Sequence, residues 1–307
     1  MTRLLPHITT DAEFESADAE TDYGPALAVI VTRHGLAPAG PRFTSGSLPV
    51  FPLGDAVVKL YPTVDAAAFK TERGVLEAVA GRLPFATPEV RAAGALESWS
   101  YLVMSRVPGR SLREGFEGHD LDAALFRELG RGTAALHTLD VKSPTGPDWP
   151  SWVEERQRGC ATWHAERGAS DLWCARIDPY LARWVPTLSL AGTSLLHTEI
   201  MREHVFVQPT DAGLALSGLI DFEPSWVGPV GYEFASVGLF TSEGEPGLFG
   251  AFLDGYGFEG DRERLAHQTM TWALLHRYAR LSWWLSRSTP HGPRAGFDDL
   301  AREWFLG

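Results

Sequence analysis

The chain has 307 residues, of which 44% are hydrophobic, 11% aromatic and 21% charged. That balance excludes a disordered or low-complexity protein and leaves room for two lobes or one large domain. Lys and Arg number 27 against 39 Asp and Glu, a formal net charge of −12, which argues against a general nucleic-acid binder and suits cationic small molecules. Two cysteines, Cys160 and Cys174, are too few for a disulfide framework or a four-thiolate zinc site and read as thiols of a reducing compartment. The N-terminal stretch lacks the order of a secretory signal, and no apolar run is long enough to span a bilayer, so the expectation is a cytoplasmic chain with no membrane partner.

Taken in chain order, the first twenty residues are polar and acidic and fit a short capping helix or a frayed end. Pro25–His34 fits an amphipathic helix or a buried strand, because so short an apolar run does not separate the two. From Pro41 the texture changes to turns and alternation. Thr44–Ser47 reads as a turn, Pro49–Leu53 as a strand, Gly54–Asp55 as a tight reversal and Ala56–Tyr61 as a second strand carrying Lys59. Asp65–Ala80 has helical spacing, with Ala68, Val75, Leu76 and Val79 on one side. Val90–Leu96 and Trp99–Val107 are strand candidates. The remainder reads mostly as helices, at 121–136, in the tryptophan-bearing stretch 151–185, and at 232–239, 247–256, 262–285 and 297–305. A short β patch interrupts them at 194–197, 205–208 and 216–222. The expectation is an α+β fold with a β-rich lobe over residues 1–103 and a helical lobe over 104–307.

Chemistry-bearing residues concentrate in two strand–loop segments. The first, residues 195–209, carries His197, Glu199, Arg202, Glu203 and His204; the second, residues 216–240, carries Asp221 and Glu223. Loops between buried strands deliver side chains into clefts. Asp221 ends an apolar strand and requires a partner, for which a cation is the obvious candidate. Lys59 ends the apolar strand AVVK and requires an anion, either Glu72 on the following helix or a phosphate; a snorkelling edge lysine is the plainer alternative. For Arg202 and Glu203 the expectation is an exposed, mutually screening pair.

The order of these features resembles the aminoglycoside phosphotransferases of the protein-kinase-like superfamily, closest in wording to the hygromycin-type kinases. The resemblance rests on VVKLY around Lys59, YLVMSRVPG at 101–109, LGRGTAALH at 129–137 and LIDFEPSWVGPVGYEFA at 219–235. It implies a two-lobed kinase-like fold and a transfer of the γ-phosphate of ATP or GTP to a hydroxyl of a cationic, aminoglycoside-like small molecule. Carried over by position, Lys59 would hold nucleotide phosphates and pair with Glu72. The turn with Ser45, Gly46 and Ser47 would cover the phosphates, and Met104, Ser105 and Arg106 would meet the base. Asp221 would bind Mg²⁺, and Glu199 would take the hydroxyl proton.

This chain departs from the family's His-Gly-Asp, four residues, Asn. It has His197-Thr198-Glu199, four residues, then His204. His197, Glu199 and His204 are therefore the catalytic candidates, with a ring hydrogen-bonded to the loop backbone as the plainer reading of His197. His204 stands beside Asp221 as a second, poorer metal ligand, since Mg²⁺ prefers oxygen. Two alternatives use the same residues: a silent kinase-like chain that sequesters such a ligand, and a metalloenzyme with His197, Glu199 and His204 as ligands. Glu223, Glu233, Glu243, Glu245, Asp254 and Glu259, with Trp226, Trp272, Trp283 and Trp284, are candidates for the acceptor pocket.

Overall fold

The computed structural model of the protein describes residues 3–115, 120–141, 144–211, 213–245, 247–287 and 295–306. Two helices come first, α1 (Asp11–Asp18) and α2 (Gly24–His34). The capping box of Thr10 and Glu13 starts α1, and Gly35 at φ 61° stops α2. The run 25–34 is thus a helix, and it buries Ala26, Leu27 and Ile30.

A four-stranded antiparallel sheet follows in the order β1-β2-β4-β3, from β1 (Val50–Leu53), β2 (Ala56–Tyr61), β3 (Val90–Leu96) and β4 (Trp99–Ser105). Gly54, at φ 71°, makes the two-residue turn between β1 and β2. Residues 40–43 run along β1, with the Gly40 N–H donating to Pro52 O and the Phe43 N–H to Val50 O. Strand alternation then decides which way each side chain faces. Ala56, Val58 and Leu60 of β2, with Trp99, Tyr101 and Val103 of β4, pack under α1 and α2. Tyr61, Leu102 and Met104 face the opposite side and pack with Val75, Leu76 and Val79 of α3 (Ala66–Val79). Lys59 belongs to this second face by the same alternation.

The helical region begins after β5 (Arg110–Ser111) with α4 (Ala123–His137), α5 (Trp149–Glu166) and α6 (Asp171–Trp184). Then come β6 (Ser194–Leu196), β7 (Val205–Thr210), β8 (Gly213–Leu219) and β9 (Trp226–Gly228), forming the sheets β5-β7-β8 and β6-β9. Helix α7 (Val230–Ser236) runs into a π-helical turn, Val237–Thr241, and α8 (Leu248–Tyr256), α9 (Arg262–Leu275), α10 (Leu281–Arg287) and α11 (Phe297–Phe305) close the chain. Edge-to-face contacts of Trp149 with Trp152, Trp226, Tyr232 and Trp272 knit the centre of this region.

Two features position the site. Ala86, just after α3, bridges Gly218 of β8, with the Leu219 N–H donating to Ala86 O and the Ala86 N–H to Ser217 O. A Cβ on Gly218 would stand 2.6 Å from Ala86 O, so only glycine admits this close approach of the two regions. The second feature corrects the helix expected over 262–285. It breaks at 276–280, where the His276 ring binds Thr198 O and accepts the Tyr278 N–H. Tertiary bonds outweigh local helical continuity there.

Candidate active site

Lys59 extends from β2 into the crevice between the sheet and the helical region, with its side chain 8% exposed. Its Nζ lies 2.9 Å from Glu72 Oε2 on α3, 2.6 Å from Asp221 Oδ1 and 2.6 Å from Glu223 Oε2. Only the bond to Asp221 has hydrogen-bond geometry; Glu72 and Glu223 act through charge. Tyr61, two residues along the same strand, donates its hydroxyl to Glu72 Oε2 at 2.5 Å. Burial pulls the Lys59 ammonium pKa down, but the charges of Asp221 and Glu72 outweigh it and hold the pKa well above the usual value.

Asp221, two residues beyond β8, has a left-handed conformation, φ 70°, and its carboxylate meets Lys59 in the crevice. Oδ1 accepts from Lys59, and Oδ2 lies 3.1 Å from His204 Nε2. Burial alone would raise its pKa; Lys59 and His204 outweigh that and hold the group ionised. Glu223 is pushed up to about 7, first by burial and then by the neighbouring charges of Asp221 and Glu72, despite Lys59.

The segment 197–204 lies across from these carboxylates. His197 is fully buried; its Nε2–H donates to Ile220 O at 2.8 Å and its Nδ1 accepts the Glu199 N–H at 3.3 Å. Burial lowers its pKa to about 4. Both nitrogens are thus bonded to backbone, the arrangement expected of a His197 that holds the loop. Of the three ligands in the metalloenzyme alternative, His197 is therefore turned away. Among the described residues the potential ligand atoms that converge are those of Glu199, His204 and Asp221, and of Glu72, Asp221 and Glu223. The Glu199 carboxylate makes no ion pair or hydrogen bond among the described residues, and burial raises its pKa.

His204 has an acceptor on each side, Glu199 O at 2.9 Å from Nδ1 and Asp221 Oδ2 at 3.1 Å from Nε2. Both ring nitrogens therefore carry protons. Burial works against this charge, but Asp221 and Glu199 raise the pKa to about 9. Among the described residues, Glu199, His204 and Asp221 bring potential ligand atoms within 4.8 Å of one another, with His204 Nδ1 already taken by the backbone.

Three groups escaped the sequence reading. Glu233 of α7, grouped with the acceptor-pocket acids, is instead buried beneath the loop and accepts the His197 N–H at 2.5 Å and the Thr198 N–H at 2.9 Å. Arg277, in the 276–280 break, donates to Thr198 Oγ1 and to Pro224 O. Arg202, expected to be an exposed partner of Glu203, is only 13% exposed; its Nε donates to Thr241 O at 2.7 Å, while Glu203 pairs with Arg113. None of the three carried a local signal, because their partners lie far off in sequence.

Other acceptor candidates are likewise engaged. Glu243 pairs with Arg113 and Arg202, Glu245 with Arg202, and Asp254 with Arg262. Glu259 is exposed beyond α8. Trp272 and Trp284 are buried, Trp283 stacks under Arg287, and Trp226 lies under Arg277. Tyr278, 48% exposed, remains at the edge of the carboxylate group.

At the crevice, then, four carboxylates, Glu72, Glu199, Asp221 and Glu223, gather around Lys59 and His204. Carboxylate oxygens in that number fit a hard divalent cation. On the sheet side, the turn 44–47 is exposed and leads through buried Leu48 to Val50, directly opposite Lys59. Of the inter-lobe segment, Met104 is buried, and the N–H groups of Ser105 and Arg106 donate to Glu89 O and Asp55 O.

The sequence profile of the phosphotransferase enzyme family matches residues 44–267. The chain belongs to that family. This phosphotransferase also shares its fold with solved aminoglycoside kinases. One is the GDP complex of wild-type aminoglycoside 2′-phosphotransferase-IIIa, at 14% identity and TM-score 0.66 over 86% of this chain and 95% of that one. Another is a Streptomyces rimosus aminoglycoside phosphotransferase with ADP and streptomycin, at 17% identity and TM-score 0.57 over 82% and 97%. A third, of the type that was solved with ADP and hygromycin B, matches at 16% identity and TM-score 0.57 over 81% and 87%. The α+β, kinase-like fold expected from the sequence is thus the fold observed, with the sheet N-terminal and the helices C-terminal. The sequestering alternative finds no support in these comparisons. No helix among the described residues is long and apolar enough to cross a membrane.

Proposed function

We propose that this phosphotransferase moves the γ-phosphoryl group of ATP or GTP, with Mg²⁺, to a hydroxyl of a cationic, aminoglycoside-like acceptor. The observation that carries the reading is the meeting of Lys59 and Asp221, 162 residues apart in sequence and 2.6 Å apart in space. Phosphoryl transfer needs little covalent help from the protein; it needs charge and placement. Lys59 is the charge for the nucleotide phosphates, and Glu72 and Tyr61 keep it from folding back into the lobe. Asp221 and Glu223 are the oxygen donors that would hold the metal. Mg²⁺ there supplies neutralisation of the charge on the phosphate oxygens during transfer. His204, 3.1 Å from Asp221, adds positive charge behind that carboxylate when it is protonated. Glu199, uncommitted and half-buried, accepts the proton of the acceptor hydroxyl.

The exposed turn with Ser45, Gly46 and Ser47 closes over the phosphates through backbone N–H groups, helped by Gly46 at φ 95°. Because Ser105 and Arg106 spend their N–H groups inside the lobe, base recognition falls to the next backbone donor, Val107, which donates to no carbonyl among the described residues. The acceptor class is supported by the streptomycin and hygromycin B complexes of the structural neighbours and by the carboxylates of the crevice. To test it, ATP and GTP are each offered with streptomycin, kanamycin and hygromycin B while nucleoside diphosphate release is followed. Saturable release that requires Mg²⁺ and is lost in Asp221→Ala is the expected result. No release with any pair, in a chain that also binds neither nucleotide, overturns the reading.

A further inference from the structure

We infer that Thr198 and Arg277 are positioning residues that latch the base-bearing loop to the loop of Asp221 and Glu223. The inference rests on the phosphotransferase reading and deepens it by naming what sets the distance between the two halves of the site.

Thr198 sits between His197 and Glu199 at φ 70° and is fully buried. A β-branched residue in the left-handed region is a backbone outlier, since its Cβ crowds the following carbonyl. Such strain persists only where the surroundings over-determine it. Here all of the residue's polar groups are held. Its N–H donates to Glu233 Oε1 at 2.9 Å, and its C=O lies 3.1 Å from His276 Nε2. Its Oγ1 donates to Pro224 O at 2.9 Å and accepts from Arg277 Nη2 at 2.5 Å.

The two backbone bonds could be made equally by glycine, which takes this φ without cost. The two hydroxyl bonds could not, and they are the ones that cross to the other loop. Pro224 directly follows Glu223, and Arg277 Nη2 donates to its carbonyl as well, so hydroxyl, carbonyl and guanidinium close a triangle. The guanidinium is backed by the Trp226 ring, 4.1 Å from Cζ. Arg277 comes from the break between α9 and α10, and His276 beside it anchors that break to the same Thr198. Glu199 is the residue after Thr198. The triangle therefore ties the proton-accepting carboxylate to the metal-binding ones. Neither Thr198 nor Arg277 touches the reacting atoms; each acts through the residue beside it.

The test compares Thr198→Val, Thr198→Ser and Arg277→Met in steady-state transfer well below each melting temperature. Valine keeps the β-branch and the volume and removes only the hydroxyl; serine keeps the hydroxyl. Because a misplacement of about 1 Å can cost ~100-fold, the valine and methionine variants are expected to lose roughly 10- to 100-fold in kcat, with nucleotide KM unchanged within about twofold. Serine is expected to restore kcat to within about threefold, and the valine–methionine double variant to be no slower than the worse single, as for one coupled unit. If valine does not fold, the methionine variant of the half-buried Arg277 carries the same kcat-against-KM test. An active wild type with full kcat in both variants, or a serine variant as slow as valine, overturns the latch alone. A wild type that transfers phosphate to no acceptor overturns the functional reading and the latch with it.

Discussion

At Lys59 one ammonium stands between three carboxylates, and neither charge nor burial alone explains the arrangement. An ion removed from water needs partners, and losing one partner of a buried pair strands the others. Lys59→Met is therefore expected to raise nucleotide KM at least tenfold and to lower stability by about 3 kcal/mol, read from urea unfolding. Glu199 is a different case. It anchors nothing, so Glu199→Gln is expected to fold normally and to keep nucleotide KM while kcat falls by ~10²- to 10⁴-fold, the usual worth of a positioned base. A Glu199→Gln enzyme with full kcat removes that residue from the mechanism. Asp221 was legible from its place beyond an apolar strand, whereas Lys59 and Glu199 became candidates only through the resemblance to the aminoglycoside phosphotransferases. His197 was legible as a ring bonded to the loop backbone; the surroundings of His204 were not, because they depend on what each ring nitrogen meets.

Single elements act here as carriers. Alternation along β2 alone dictates that Lys59 and Tyr61 share a face, and α3 places Glu72 under both. The 44–267 family match starts after α1 and α2, which cover the opposite face of the sheet. Ile30→Ala in α2 is accordingly expected to cost about 2–5 kcal/mol in urea unfolding, as other large-to-small core changes do, and to leave nucleotide KM alone. A changed KM would mean that the outer helices shape the crevice. The break at 276–280 shows the reverse dependence. Arg262–Leu285 reads as one helix by local pattern, yet His276 and Arg277 are worth more bonded to Thr198 than continuing the turn.

For the molecule as a whole, pH acts through groups whose burial is part of the fold. His164, His197 and His276 have both ring nitrogens bonded as neutral rings, and burial lowers them to about 4, 4 and 3. Their folded values lie below the unfolded one, so their contribution is complete above about 6.5 and is lost as pH falls toward the folded values. Glu223, at about 7, and Glu199, also raised, oppose this because their contribution grows as pH falls. On acidification below about 6.5 the loss from the buried histidines, to which His267 adds in the same direction, therefore runs against the gain from these two carboxylates. His204, raised to about 9, has the opposite sign to the buried histidines: its contribution is lost as pH rises through 9. Urea midpoints measured from pH 5 to 9.5 are expected to peak near neutrality. A curve still rising at pH 9.5 would contradict the charged His204.

The order of Lys59, Glu72, the 101–109 segment, the 197–204 loop and Asp221 along the chain carried the resemblance that implied the kinase-like fold and the class of chemistry. Strand ends, turn residues and apolar periods, being local properties, gave the α+β pattern by themselves. Which atoms meet was decided only by the tertiary structure. Glu233 beneath the loop, Arg202 on the carbonyl of Thr241, and Arg277 on Thr198 and Pro224 join residues from 35 to 79 positions apart. Burial sets the electrostatics of such pairs, and burial belongs to the packed chain, not to any stretch of it.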